Sequence, residues 1–374
     1  MAIAPARVIW PHPGGLNAKV GGEVAPRHQP AKPKAMASIP LRLTVDTSAL
    51  VANWRWFGVT GGVTAGAAVK ADGYGLGARA AVTALAAAGA RDFFVATWDE
   101  AEALGPLPPG ARLAVLHGLL PGEAPLPGVV PVLNSLAQAA RWRSGGGGVC
   151  DVMVDTGMNR LGVAPGDLSQ LADLDIDVLH SHLACADEPG HPMNTAQLAR
   201  FHAARTLVPH ARAALANSAG VCLGRDYAFD LTRPGIGLYG GVTHPAAVGQ
   251  LRAVAGIEAR VVQVRDLCAG DTYGYGATWT AARASRIAVV NLGYADGYRR
   301  AFADVGQLYV DEAPCPVVGR VSMDLTGVDV TGHDVAEGDW LRVDFDLPAA
   351  SAATGIAQYE LLTGLGHRYQ RSYR

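Results

Sequence analysis

Lys70 is the only lysine beyond residue 34, in the run Ala67-Ala-Val-Lys70-Ala-Asp-Gly-Tyr74-Gly. The other three lysines, Lys19, Lys32 and Lys34, lie in the leading segment, and the remaining 27 of the 31 basic residues are arginines. An arginine stays charged and cannot act as an amine nucleophile, whereas a lysine can lose its proton and form a Schiff base. A genome rich in arginine codons would also deplete lysine, but a chance survivor would more often sit on a polar surface. Lys70 instead follows an apolar run and precedes a Gly-Tyr-Gly turn. It is a candidate nucleophile at a strand end, and Tyr74, four residues on, is placed to help hold what the lysine binds.

Other clusters could supply binding groups. Asp155-Thr-Gly-Met-Asn-Arg160 follows a strand-like run, and its Thr-Gly turn aims Arg160 back over that strand's end. Arginine holds carboxylates bidentately; taken alone, Arg160 reads as a surface residue in a loop. His180-Ser-His182 puts two histidines on one face of a strand, but carboxylate or cysteine ligands at matching spacing are not evident, and no metal is expected. Asn217-Ser218-Ala-Gly220 and Arg233-Pro-Gly235-Ile236-Gly also follow strand-like runs. Backbone N–H groups and a hydroxyl at such turns suit a phosphate. Tyr273-Gly-Tyr275-Gly, Gly293-Tyr294-Ala-Asp-Gly and Gly319-Arg320-Val-Ser-Met323-Asp324 stand later in the chain; alone, each reads as a packing turn.

The elements that must position these residues follow a regular plan. Strand-like runs at 63–71, 92–97, 112–117, 129–133, 149–155, 176–182, 211–217 and 229–233 alternate with Ala/Leu-rich helical segments such as 78–90, 99–104 and 195–207. Eight such units predict an α/β fold, a (β/α)8 TIM barrel over 47–250, with a doubly wound sheet as the alternative. Most runs end in a polar residue (Lys70, Thr97, His117, Asn134, Asp155, His182, Asn217, Arg233), and barrels keep their chemistry at the carboxyl ends of their strands. From 251 to 374 short strands joined by Gly, Asp and Pro turns predict a mostly β domain, which the segment 39–46 could join as an extra strand. Residues 1–38, rich in Pro, Gly and His, read as a flexible extension, with Met36 a candidate natural start.

Composition excludes several classes. With 49% hydrophobic and 17% charged residues the 374-residue chain can build a large core, and its net charge of −2 gives no field for nucleic acid or an acidic membrane. The longest apolar stretch, 80–90, is about half the ~20 residues a membrane helix needs. Five scattered cysteines, Cys150, Cys185, Cys222, Cys268 and Cys315, form no CxxC pair, which fits free thiols in the cytoplasm.

From about Leu41 to Tyr373 these motifs, in unbroken order, resemble the alanine racemases, pyridoxal-phosphate enzymes with a barrel and a β domain. The resemblance implies that Lys70 carries pyridoxal 5'-phosphate and that Tyr74, Ser218, Gly235, Ile236 and Tyr359 hold its phosphate. It implies that Arg233 faces the pyridine nitrogen and that His182 links Arg233 to a catalytic tyrosine, Tyr275, contributed by the partner subunit of a homodimer. Arg160 and the backbone of Met323 then meet the substrate carboxylate, while Asp187, Tyr294, Arg300, Arg320 and Tyr359 form a narrow entrance. Three positions depart from the common pattern: Met153 stands where many members have a carbamylated lysine, Gly75-Leu76-Gly77 replaces Gly-His-Gly, and Ser322 replaces a cysteine. The implied activity is two-base racemisation of L- and D-alanine, supplying D-alanine for peptidoglycan. Alternatives are a racemase that also takes Ser, Lys or Arg, or a decarboxylase of the same fold, which would want a carboxylate in place of Arg233. A non-catalytic pyridoxal-phosphate carrier would not need the β domain.

Overall fold

A computed structural model describes residues 39–374; the expectation for 1–38 lies outside the described residues. Seven strands, Ala67–Ala68, Asp92–Val95, Arg112–Val115, Val129–Leu133, Val149–Met153, Asp175–His180 and Arg212–Ala214, form one parallel sheet in chain order. The eighth, Leu231–Thr232, pairs in parallel with Thr64–Ala65, just ahead of the first strand. On its other side Asp230 N donates to Ala213 O (3.1 Å) and Arg233 N to Ala216 O (2.8 Å). These bonds curl the sheet into a barrel, as the alternating pattern predicts.

Three of the expected strand–helix units lack their α-helix, the eighth strand being followed only by the 3-10 turns Ile236–Tyr239 and Pro245–Ala247. Residues 116–128 hold three prolines, Pro121, Pro125 and Pro127, each without an N–H to donate, and run as turns. Residues 154–174 contain only the 3-10 turn Pro165–Leu171, after a loop broken by Gly157 and Gly162. Elsewhere local signals hold. Asp46 caps the helix Thr47–Gly61 by accepting from Ala49 N (2.9 Å), and Gly62, at φ 69°, ends it in the left-handed conformation that glycine takes without strain.

The β domain is built on Ala255–Leu267, a strand long enough to serve two neighbours. Its first half pairs antiparallel with Leu41–Val45, and its second half with Ser285–Val290 after a register shift near Val261. Thr326–Asp329, Ala313–Val318, Gln307–Val310 and Trp340–Val343 complete a ring back to it. Leu41–Val45, alternately buried and accessible, is flanked on its far edge by Gln370–Tyr373. No helix among the described residues is long and apolar enough to cross a membrane.

A network of charges closes the amino-terminal end of the barrel. Arg112, first residue of its strand, pairs with Asp151 and, through Nε, with Asp177 (2.9 Å). Arg212 bridges Asp177 (2.8 Å) and Asp92 (2.9 Å). Asp151 is wholly buried, so its charge depends on these partners. Removing one partner of a buried pair costs about 3–5 kcal/mol, whereas an exposed pair contributes at most ~1 kcal/mol. Arg112→Met should therefore lower the urea-derived unfolding free energy by about 3–5 kcal/mol. Arg143→Ala, which breaks the exposed Arg143–Asp173 pair, should change it by less than about 1 kcal/mol. Equal effects would show that the barrel floor does not depend on its charges.

Candidate active site

Lys70 lies two residues past the end of its strand, where the chain enters a left-handed turn rather than continuing extended to Ala71 as the sequence suggests. Ala71, Asp72, Gly73, Tyr74 and Gly75 all have positive φ, from 51° to 84°. Gly73 N donates to Val69 O and Gly75 N to Ala71 O, each at 2.8 Å. Left-handed helix costs about 1–2 kcal/mol per residue that carries a Cβ. Glu100 offsets that cost, one carboxylate oxygen accepting from Ala71 N (2.8 Å) and the other from Ala96 N (2.7 Å). Asp72 accepts from Ala78 N (2.8 Å) and seals the far side. The turn brings Lys70 and Tyr74 to the wall of one cavity.

That cavity, of about 530 Å³, opens at the carboxyl ends of the barrel strands and falls in the ~300–1,000 Å³ range of small-molecule sites. Nine of the expected site residues line it: Lys70, Tyr74, Arg160, His182, Ser218, Arg233, Gly235, Ile236 and Tyr359. Ser218 Oγ accepts from Gly235 N (2.9 Å) and Gly237 N (3.2 Å), gathering the two turns that follow the last strands. A Cβ on Gly235 would stand 2.2 Å from the Tyr74 hydroxyl, so only glycine allows that approach. Tyr74 stacks on Tyr239 (4.8 Å), whose hydroxyl donates to Ala68 O.

The remaining expected residues do not line this cavity. Tyr275 stands on the β domain, 72% exposed, and Met323 is 54% exposed. They belong to one cluster of loops, in which Tyr294 N donates to Ser322 O (3.0 Å), Ala295 N to Met323 O (3.0 Å), and Arg320 lies beside Gly276. Among the described residues the Met323 N–H donates to nothing. Arg300, Arg320 and Asp187 are exposed; Asp187 lies near enough to Tyr359 for its charge to help raise that phenol's pKa, after burial.

The electrostatics are lopsided. Three cationic side chains, Lys70, Arg160 and Arg233, share the wall with one carboxylate, Asp155, which is turned to Gly157 N (2.8 Å) and Asn159 N (3.1 Å) of the loop bearing Arg160. Burial lowers the pKa of Lys70, the charge of Arg160 lowers it further, and Glu100 opposes both. Burial pulls Arg233 down to about 10, so it remains charged at neutral pH. His182 is pushed down to about 3 by burial and by Arg233, Arg160, Lys70 and His180.

The histidine that hydrogen-bonds Arg233 is His180, whose Nδ1 stands 3.1 Å from Nη1, and not His182. Both rings lie on one face of the strand, but His180 is one layer deeper, level with the guanidinium. Further lining residues were not singled out for the site: Phe94, Leu116, Met158 and Ser181 carry no signal beyond apolar or small character. His117, Asp155 and Asn217 do line it, as their strand-end positions suggest. Thr97 and Asn134, also strand-end residues, have structural tasks: Thr97 caps a helix at Glu100 N (3.3 Å), and Asn134 donates to Leu116 O (2.9 Å) and Val132 O (2.8 Å).

Residues 45–243 match the alanine racemase N-terminal domain and residues 254–373 the alanine racemase C-terminal domain. The chain belongs to the alanine racemase family. It is 45% identical to the alanine racemase of Rhizobium meliloti (strain 1021), over 89% of this chain and 96% of that protein. It is 41% identical to the biosynthetic alanine racemase of Agrobacterium fabrum, over 91% and 95%. The crystal structure of the Bartonella henselae alanine racemase with covalently bound pyridoxal phosphate is similar in fold, with a TM-score of 0.82 and 35% identity over 90% of this chain and 99% of that one. The Pseudomonas aeruginosa biosynthetic enzyme has the same TM-score of 0.82 at 33% identity, over 90% and 100%. Of the three departures from the family pattern, Met153 lines the cavity, Leu76 is buried in the core, and Ser322 closes its own turn by donating to Leu325 O (2.8 Å).

The two neutral histidines make stability depend on pH. A free imidazole titrates near 6.5, so the unfolded chain takes up protons as pH falls below that value. The folded chain does not until about 4 for His180 and about 3 for His182. The unfolded state then binds more protons, and stability present above pH ~6.5 is lost towards pH 4. The melting temperature should fall across that window, and the double substitution His180→Asn, His182→Asn should flatten the slope. An unchanged slope would assign the loss to other groups.

Proposed function

We propose that this protein interconverts L- and D-alanine, with pyridoxal 5'-phosphate held on Lys70, and so supplies D-alanine for peptidoglycan synthesis in the cytoplasm. The observation that carries the reading is the cavity itself: the one lysine of the described residues sits there beside Arg160 and Arg233, with no carboxylate aimed at it. That set fits an aldehyde bearing a phosphate. The amine can condense with the aldehyde, losing water; the hydroxyls of Tyr74, Ser218 and Tyr359 and the N–H of Ile236 would donate to the phosphate, with the N–H of Gly235 joining them on leaving Ser218 Oγ; and Arg233 is assigned to the pyridine nitrogen. When bound, this cofactor withdraws electrons from the Cα of an amino acid and acidifies its proton.

The side chains then divide the work. Arg160, with the Met323 N–H, orients the substrate carboxylate. Lys70, its pKa depressed by burial, takes or returns a proton at Nζ on one face. A second base is required on the opposite face, and we assign it to Tyr275 from the partner of a head-to-tail homodimer. The exposure of Tyr275 and Met323 supports that assignment, since a partner surface would cover them. Asp187, Tyr294, Arg300, Arg320 and Tyr359 would then form the entrance. His182 keeps a proposed place between Arg233 and Tyr275 through charge rather than through a hydrogen bond to Arg233. Arg233 weighs against a decarboxylase, because the nearest buried carboxylate, Asp151, is separated from it by His180.

Borohydride reduction of the pyridoxal-phosphate-loaded protein, followed by peptide mapping, should place the adduct on Lys70. Lys70→Arg, which keeps charge and loses the nucleophile, should reduce racemisation to background. A label confined to Lys19, Lys32 or Lys34, or none, would sink the reading.

A further inference from the structure

Arg233 is held from below by Ala214 and His180, which do not line the cavity, and by the backbone of Ser181, which does. Its Nη1 donates to Ala214 O (2.8 Å) and meets His180 Nδ1 at 3.1 Å; its Nη2 donates to Ser181 O. His180 Nε2 in turn lies 2.9 Å from Asp151 Oδ2, and Asp151 also pairs with Arg112 and accepts from Val178 N (3.0 Å). We infer that Asp151 and His180 are positioning residues that lock the Arg233 guanidinium against the group it faces in the cavity; this rests on the pyridoxal phosphate reading and extends it to two residues outside the cavity wall.

The geometry determines the state of the imidazole. A guanidinium has no acceptor, so His180 Nδ1 must accept and carries no hydrogen. A carboxylate has no donor, so Nε2 must carry one. His180 is thus neutral in a single tautomer, wholly buried, with the Phe94 ring edge-on at 5.8 Å. Nη1 has then used both its hydrogens and Nη2 one of two. The Nε–H and one Nη2–H are left for a cavity acceptor, and their direction is set by three fixed partners. Two of these are strand carbonyls, Ala214 and Ser181; His180 is the only side chain among them, and the only one a substitution can remove. The charged groups facing His180 are Arg233 on one side and Asp151 with Arg112 on the other. The second ring nitrogen thus joins the cavity floor to the charge network at the opposite end of the barrel. Interposing a neutral acceptor also keeps the carboxylate from pairing directly with Arg233, so the guanidinium keeps free donors for the cavity.

The test uses the pyridoxal-phosphate-loaded protein without substrate. Two quantities are read: the cofactor dissociation constant on reconstitution, and the visible absorbance of the bound cofactor between about pH 6 and 10. His180→Asn keeps an acceptor near the Nδ1 position, and His180→Leu removes it. Asp151→Asn leaves volume unchanged but admits the tautomer that turns an N–H toward Arg233. His180→Leu and Asp151→Asn should each weaken cofactor binding about 10-fold or more, the scale of losing an outer-shell partner, and shift the pH course of the absorbance. His180→Asn should stay within about 3-fold of the parent and keep its pH course. If His180→Leu fails to fold, as judged by circular dichroism, Asp151→Asn against His180→Asn decides. The inference is overturned if the folded variants bind and titrate as the parent does, or if His180→Asn is as impaired as the others. A parent that binds no pyridoxal phosphate would instead overturn the functional reading, and this inference with it.

Discussion

The burial of Lys70 beside the charge of Arg160, on a cavity wall that also carries Arg233, is the constraint on which the rest of the site depends. Two unit charges 4 Å apart interact by about 4 kcal/mol at an effective dielectric of 20. The wall holds one carboxylate, itself engaged by Asp155's own loop. Burial and neighbouring cations lower the pKa of the Lys70 amine and keep the His182 ring on the wall neutral. The charge that remains favours anions, and phosphate and carboxylate are the anions the proposed cofactor and substrate would bring. The depressed amine is the nucleophile and base the proposed reaction needs, and burial, with the charge of Arg160 added, is what depresses it.

The barrel converts that constraint into fixed geometry. Its strands carry charges at both ends, and these are not independent. Arg212, Asp92, Asp177 and Arg112 close the amino-terminal end; Asp151 and His180 lead from them through the core; Arg233 emerges at the cavity floor. Lys70 is held differently, by a left-handed turn whose strain Glu100 and Asp72 compensate. The cation facing the cavity floor therefore rests on the rigidity of the sheet, while the amine rests on a local turn clasped to the neighbouring strand.

Much of this was legible in the chain. Lysine depletion singled out Lys70 without reference to any fold, and the alternation of apolar runs located all eight barrel strands. The polar-strand-end rule found His117, Asp155 and Asn217, but it could not separate them from Thr97 and Asn134, because capping a helix and lining a cavity demand the same residue types at the same place. The left-handed turn escaped because Ala71 and Asp72 have no preference for positive φ; tertiary bonds from Glu100 impose it. His180 and His182 share a face, and only the depth of each ring shows which one meets Arg233. The helices missing after the third and fifth strands were signalled by proline and glycine, whose breaks outweighed the strand–helix rhythm. Thr326–Asp329 and Gln370–Tyr373 are four-residue strands stabilised by distant partners, Ser285–Val290 and Leu41–Val45, rather than by their own pattern.

One chain's cavity contains Lys70 but not Tyr275, which stands exposed on the β domain. Two-base racemisation needs one base on each face of a planar cofactor, and the composite site proposed above would take the second from another copy of the chain. The direct measurement mixes inactive Lys70→Ala protein with inactive Tyr275→Phe protein under conditions where subunit exchange is independently demonstrated, and assays alanine racemisation. Two-fold symmetry leaves one site of each mixed dimer with both native groups, so activity should return at about one native site per mixed dimer. No recovery despite proven exchange would place both bases on one chain and contradict the composite site.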